Sequence, residues 1–473
     1  MSVCESLGVI TNDCLDPNLN LGMAEPWVAA MSILFITAVG GGVVLCLSRR
    51  LRIKWSLGVG IFLGFSAIGA ILTLLFGPFF VATDGAIYDR QAMGIVDVLR
   101  GEAEAGVRIT GGKEGWPTIL AGLYFLFGRV PFLGILVNCV ALAVAALLTV
   151  KTAQIVWGSY SSWRVLIFLF LNPLVVVLGP SMMREALCWM GISIVCCGLV
   201  MVSKSDRRGV WLIVFGEILL FWVRSTLSVL LAAGLGIATL VVYLIVKRRF
   251  WLLCATAVVL ITIGLTMADF ILSALGQDEE YLRANRENLS EDATTGFAIN
   301  ELGEGPMGFL GSALALAPRL SFGPFPWEIG LAPVWIWVVA NTVVWFVTLV
   351  FAIRQTVTLP NRAVSTVVWA AAAIVLVGMA LTLTNYGIVV RLRGIPFMML
   401  LPLVIARKPL AGTMAASTGD KDPATSDVMP WLTVRRLFHA GHLKVAPAPK
   451  SVLSTLVSKS GNEMVDTTVR NEQ

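Results

Sequence analysis

Charge is scarce in this 473-residue chain: Asp, Glu, Lys and Arg make up 14% of it, where soluble proteins carry about a quarter. A chain so poor in charge cannot cover one large water-facing domain. Histidine is nearly missing, with only His439 and His442, both in the polar C-terminal stretch. Proton transfer or metal binding near a membrane would therefore rest on carboxylates, hydroxyls or backbone. None of the eight cysteines shows the two-residue spacing of a zinc knuckle. Six of them (Cys46, Cys139, Cys188, Cys196, Cys197 and Cys254) lie in apolar runs, where Cys acts as a small hydrophobe. Cys4 and Cys14 could pair if the N-terminal tail faces an oxidising compartment. There is no Gly-rich phosphate loop ending in Lys-Ser/Thr and no paired-His metalloprotease motif. The basic clusters are short, which argues against nucleic-acid recognition. Residues 1–25 hold no Lys or Arg, so no cleavable signal peptide is expected.

What is present is apolar sequence, 57% of all residues. Stretches of roughly 20 apolar residues, enough to cross a bilayer, recur throughout. The expected fold is an all-α polytopic membrane protein with about eleven transmembrane helices. They run near 26–47, 56–77, 131–152, 164–179, 185–202, 210–223, 227–246, 251–275, 331–353, 364–383 and 394–407. Basic residues follow the first, fifth, seventh, ninth and eleventh spans: Arg49, Arg50, Arg52 and Lys54; Lys204, Arg207 and Arg208; Lys247, Arg248 and Arg249; Arg354 and Arg362; Arg407 and Lys408. Because positive loops stay inside, the N-terminus is expected outside and the C-terminus in the cytoplasm. The domains are then an extracytoplasmic tail (1–25), a transmembrane domain (26–409) with outer loops at 78–130 and 276–330, and a mostly disordered cytoplasmic tail (410–473). Trp116–Phe127 is apolar but too short to span, and reads as a helix along the membrane face. Trp431–Leu443 could form an interfacial amphipathic helix.

Four constellations could carry chemistry, each with a plainer alternative. In Thr83-Asp84-Gly85-Ala86-Ile87-Tyr88-Asp89, a carboxylate at the membrane mouth could act as a base or hold a cation, or simply be solvated. Arg184 and Glu185 sit at a helix entry, facing an active cavity or serving as cap and ion pair. Arg224, between Trp222 and Ser225, is a charge at membrane depth, or a side chain snorkelling to the interface. In Asn385-Tyr386-Gly387-Ile388-Val389-Val390-Arg391-Leu392-Arg393, two arginines break the positive-inside rule. Guanidiniums so placed can grip phosphate oxygens bidentately, or form a structural pair. Glu217, inside the sixth span, has no assigned role.

The order of these features resembles the GT-C superfamily of membrane glycosyltransferases, particularly bacterial relatives of the protein mannosyltransferases. The resemblance rests on several segments. They are Asp84 and Tyr88 in the first outer loop, Gly-Trp-Pro-Thr-Ile-Leu-Ala-Gly-Leu-Tyr-Phe-Leu-Phe-Gly at 115–128, Asn138, Leu171-Asn172-Pro173, and Ser181 with Glu185-Ala186-Leu187. It covers residues 56–210, with the Arg391/Arg393 and Pro324–Glu328 segments beyond. There is also some similarity to exopolysaccharide and O-antigen polymerases. An extra N-terminal span and the lack of a large soluble C-terminal domain depart from the pattern. The usual paired acidic signature is represented by Asp84 and, less well, Asp89.

The resemblance implies a multi-pass protein of the cell (inner or plasma) membrane that acts in cell-envelope polysaccharide biosynthesis. It would move a sugar from a polyprenyl-phosphate-linked donor to a glycan, lipid or protein acceptor on the extracytoplasmic face. Asp84, Asp89 and Glu185 would be the catalytic carboxylates, and Arg391, Arg393, Arg224 and Arg184 the donor-phosphate ligands. Tyr88, Asn385, Tyr386, Trp327 and Glu328 would contact substrate. Metal dependence is open, Mg²⁺ or Mn²⁺ being the ions that Asp84 with Glu185 could hold. The competing expectations are a polymerase or ligase of polyprenyl-linked oligosaccharides and a non-enzymatic transporter.

Overall fold

The computed structural model describes residues 23–80, 83–102, 114–246, 305–332, 334–359, 362–380 and 385–407. All belong to one unit, Met1–Pro423. The expected span at 251–275, Cys4 and Cys14, the acidic opening of the second loop and the tail with its Trp431–Leu443 segment lie outside the described residues.

Among the described residues the fold is all helical, apart from isolated bridges such as Met23 with Arg129. We number the helices α1 (Pro26–Leu51), α2 (Trp55–Phe76), α3 (Thr83–Arg100), α4 (Gly115–Phe127), α5 (Pro131–Trp157), α6 (Ser162–Phe170), α7 (Pro173–Leu178), α8 (Glu185–Ser203), α9 (Arg208–Val246), α10 (Gly305–Phe322), α11 (Val334–Thr358), α12 (Arg362–Ala380) and α13 (Tyr386–Ile405). Eight of these are long and apolar enough to cross a membrane: α1, α2, α5, α8, α9, α11, α12 and α13. The chain is thus an α-helical polytopic membrane protein.

Local chemistry sets the helix ends. Pro26 and Pro131 begin α1 and α5, where the missing N–H costs nothing. Gly158 closes α5 at φ +79°, a left-handed conformation that suits a residue without Cβ. Asn172 and Asn385 cap α7 and α13, each side chain accepting from a backbone N–H two or three residues on, at 3.1 and 3.0 Å.

Two helices form the centre. The apolar windows of α5 and α13 are 83% and 89% buried, whereas those of α1 and α2 are 17% and 22% buried and turn their sides to lipid. Small residues let helices approach closely, as expected where lipid tails give apolar side chains no reason to associate. A Cβ on Gly198 would lie 2.7 Å from the Gly209 carbonyl, and one on Gly191 would lie 2.6 Å from Leu220.

α9 reads as one 39-residue helix, but Arg224 has extended backbone angles (φ −159°, ψ 86°). Ser228 Oγ donates to Glu217 Oε2 at 2.6 Å. On a continuous helix these residues would be about 16 Å apart along the axis. The chain therefore folds back at Arg224, and its two arms follow the expected sixth and seventh spans. Glu217 acquires a role here as the acceptor that holds the arms together.

Three expectations are corrected. The fourth span is not one helix: it breaks into α6 and α7 at Leu171-Asn172, because Pro173 has no N–H to continue the ladder. The loop at 276–330 contains a helix, α10. The last span begins at Tyr386 rather than 394, so Arg391 and Arg393 lie on a helix and not in a connection.

Candidate functional site

The site forms where the start of α3, the entry of α8, the bend of α9 and the first turns of α13 meet. Arg391 is its hub. Its Nη2 donates to Asp84 Oδ2 and to Glu185 Oε1, both at 2.9 Å, and its Nε reaches Glu185 Oε1 at 3.2 Å. Glu185 is buried, Asp84 is 39% exposed and Arg391 24%, so the cluster opens on the Asp84 side.

Arg184 is buried and donates to the Val223 carbonyl at 3.2 Å, just before the α9 bend. Arg224, at that bend, lies within electrostatic range of Arg184, Glu185 and Arg391. Among the described residues, three guanidiniums thus gather around two carboxylates, an excess of one positive charge. Glu185 Oε2 and Arg184 Nε are buried there without hydrogen-bond partners. Tyr88, four residues after Asp84 and so on the same helical face, is buried beside this cluster. Burial pushes its hydroxyl up to about 12, against the opposing pull of Arg184.

The segment that presents Arg184 and Glu185 is not helical, and its backbone is held from outside. Asn138 Nδ2 donates to the carbonyls of Ser181 (2.6 Å) and Met183 (2.5 Å), and Trp116 Nε1 donates to that of Met182 (2.8 Å). Three consecutive carbonyls are therefore satisfied by α4 and α5. Asn138 and Trp116 carry no role in the sequence reading beyond the family pattern. The available signal is a lone amide inside an apolar span, which in lipid must find a partner.

Asp89 does not join the site. It is fully buried, paired to Arg129 at 2.6 Å and accepting from the Tyr124 hydroxyl at 2.6 Å. Burial, then Asp89, raises the Tyr124 hydroxyl well above its ordinary range. A carboxylate in that setting is a structural partner. Arg393 is also elsewhere. Its donors go to Leu320 O (2.7 Å), Thr342 Oγ1 (2.7 Å), Arg319 O (3.3 Å) and Gly323 O, so it caps the C-terminal carbonyls of α10 rather than facing a phosphate.

The remaining substrate candidates form a separate group. Glu328 accepts from the Tyr386 hydroxyl, from Arg319 Nε and from the Phe325 amide, the last two at 3.0 Å. Burial alone would raise its carboxyl, but these donors outweigh burial and hold it below the usual carboxylate range. Tyr386 is buried, and Asn385 is occupied as the α13 cap. Trp327 is 79% exposed and stacks on Phe325 at 5.1 Å between ring centres.

Asp84 and Glu185 do not fit a divalent cation as arranged, because the Arg391 guanidinium takes the place between them. Among the described residues no cluster of three or more His, Cys, Asp or Glu could hold a metal ion. No protein-family model, curated protein or solved structure matches the chain.

Proposed function

We propose that the chain is a membrane glycosyltransferase that uses a polyprenyl-phosphate-linked sugar, with Asp84, Arg391, Glu185, Arg184 and Arg224 as its site on the extracytoplasmic face. The observation that carries this reading is the meeting of Asp84, Glu185 and Arg391, residues up to 307 positions apart. A partly open cluster with surplus positive charge suits an anionic donor, and a carboxylate at its mouth suits an acceptor hydroxyl.

In this reading Asp84 takes the proton of the acceptor hydroxyl as its oxygen attacks the anomeric carbon. The bond from that carbon to the phosphate oxygen breaks, and its electron pair stays on the leaving phosphate. Arg391, Arg184 and Arg224 stabilise that charge. A carboxylate paired with a guanidinium is a weak base, so the pair between Asp84 and Arg391 is a resting arrangement. The donor phosphate competes for Arg391 and releases Asp84, so the donor binds before the base becomes active.

General-base catalysis contributes about 10²–10⁴-fold. Asp84→Asn should lower the turnover of sugar transfer by that order in reconstituted membranes, while the donor still binds. A variant that folds and transfers at the wild-type rate would sink the assignment of the base. Arg391→Ala should weaken donor binding. If only the arginine change abolishes glycan formation, a polymerase or ligase of polyprenyl-linked units becomes the better reading, since it needs the phosphate ligands and no carboxylate base.

One observation favours transport instead. The chain is broken between α6 and α7, where buried Asn172 meets Asn341 at 3.4 Å, and broken helices with buried polar groups are a transporter feature. Flipping of a labelled polyprenyl-phosphate lipid in vesicles without acceptor, undiminished in Asp84→Asn, would favour it.

A further inference from the structure

At the end of the bundle away from Asp84, three arginines from separate segments come together: Arg164 on α6, Arg354 near the end of α11, and Arg407 just beyond α13. The backbone there is tightly tied. Ser161 N donates to Ile405 O at 2.9 Å, Arg407 N to Ser159 O at 3.2 Å, and Ser159 Oγ to Arg407 O at 2.8 Å. Arg164 itself donates to Val404 O (3.4 Å) and Ala406 O (3.0 Å), with its guanidinium near the rings of Trp163 (5.6 Å) and Phe351 (5.9 Å).

Among the described residues these anchors supply no countercharge. Arg164 lies within electrostatic range of both Arg354 and Arg407. Among the described residues none of the three makes an ion pair, and Arg164 Nε is buried with no acceptor. Like charges repel, and water screens exposed guanidiniums only in part, so an anion bound among these three cations would stabilise the arrangement. The neighbouring surface identifies the kind. Trp163 is 57% exposed, Ile167 41%, Val350 62% and Ile353 55%, so apolar side chains of α6 and α11 run up to the arginines. A free phosphate ion makes no use of such a surface, whereas a lipid fills it with acyl chain while its headgroup reaches the guanidiniums.

We propose that Arg164, Arg354 and Arg407 form a binding site for the phosphate headgroup of an anionic phospholipid in the leaflet at this end of the bundle. The site is independent of the transferase reading.

The test uses the full-length protein in phosphatidylcholine nanodiscs doped with phosphatidylglycerol, with retained lipid counted by native mass spectrometry. The wild type should retain phosphatidylglycerol several-fold above its share of the bilayer. The Arg354→Gln/Arg407→Gln pair changes only exposed side chains and should bring retention down to that share. Arg49→Gln/Arg50→Gln, at the same end but outside the cluster, should leave it unchanged. Retention that survives the first pair, or that falls equally with the second, overturns the site. Inorganic phosphate added to pure phosphatidylcholine discs should not raise the melting temperature as phosphatidylglycerol does. If it does so equally, the ligand is a free anion and the lipid assignment is overturned.

Discussion

Five positions along a helix turn a side chain through about 500°, which leaves Asp84 and Asp89 some 140° apart on α3. One faces the arginine cluster, and the other is buried against Arg129 and Tyr124. Arg391 and Arg393 divide in the same way on α13, two positions and about 160° apart. Breaking a buried ion pair by removing one charge costs about 3–5 kcal/mol. Asp89→Asn should therefore lower the melting temperature markedly, with the surviving folded protein keeping its donor affinity. A melting temperature equal to wild type would count against the structural role. Glu328 supplies a pH test. Its folded-state pKa is depressed, so its stabilising contribution is complete above the unfolded value of about 4.3 and is lost as pH falls through the folded value. Thermal melts should show the wild type losing more stability than Glu328→Gln as pH drops from 6 toward 3. Parallel curves would remove Glu328 from the acid-sensitive groups.

At the scale of elements, the link from α4 and α5 to the Ser181–Arg184 segment fixes the site. Asn138→Leu removes the donor to two buried carbonyls, at about 1–3 kcal/mol for each group left unmet. That change should lower stability and, for the transferase activity proposed above, raise the KM for its donor, because Arg184 and Glu185 lose their fixed backbone. Asn138→Ser, which keeps a donor, should recover part of both. An unchanged KM in a clearly destabilised Asn138→Leu protein would limit Asn138 to packing. Most elements were legible from length and apolarity, since a lipid-crossing helix must satisfy its own backbone. The bend at Arg224 was legible too, as a charge between two apolar runs. The break at Asn172 was signalled by Asn172-Pro173, a turn-forming pair, but the apolar runs on either side were joined into one span. The start of α13 was missed for the opposite reason. Its polar residues suggested a loop, but α13 is surrounded by protein, where Arg391 and Arg393 find partners that lipid could not supply. Asp84, Glu185 and Arg391 were legible singly. Their meeting was not, since nothing local in a sequence joins residues hundreds of positions apart.

For the whole molecule, the question is which end faces out. Lys151 Nζ reaches the Leu51 carbonyl at 3.4 Å, and Ser159 meets Arg407, so the ends of α1, α5 and α13 share one side. That side carries Arg49, Arg50, Arg52, Lys54, Arg354 and Arg407, while Asp84, Glu185 and Arg391 gather at the other. Cationic loops resist translocation, so the basic side should be cytoplasmic and the candidate site outside. In a cysteine-free background, Trp327→Cys should react with a membrane-impermeant maleimide in intact cells, because Trp327 is 79% exposed near the first turns of α11 and α13. Ser205→Cys, in the turn between α8 and α9, should react only after the cells are opened. The reverse pattern would place Asp84 in the cytoplasm. A polyprenyl-linked sugar presented on the outer leaflet could then never reach it, and the proposed chemistry would have to use a donor made on the inner face.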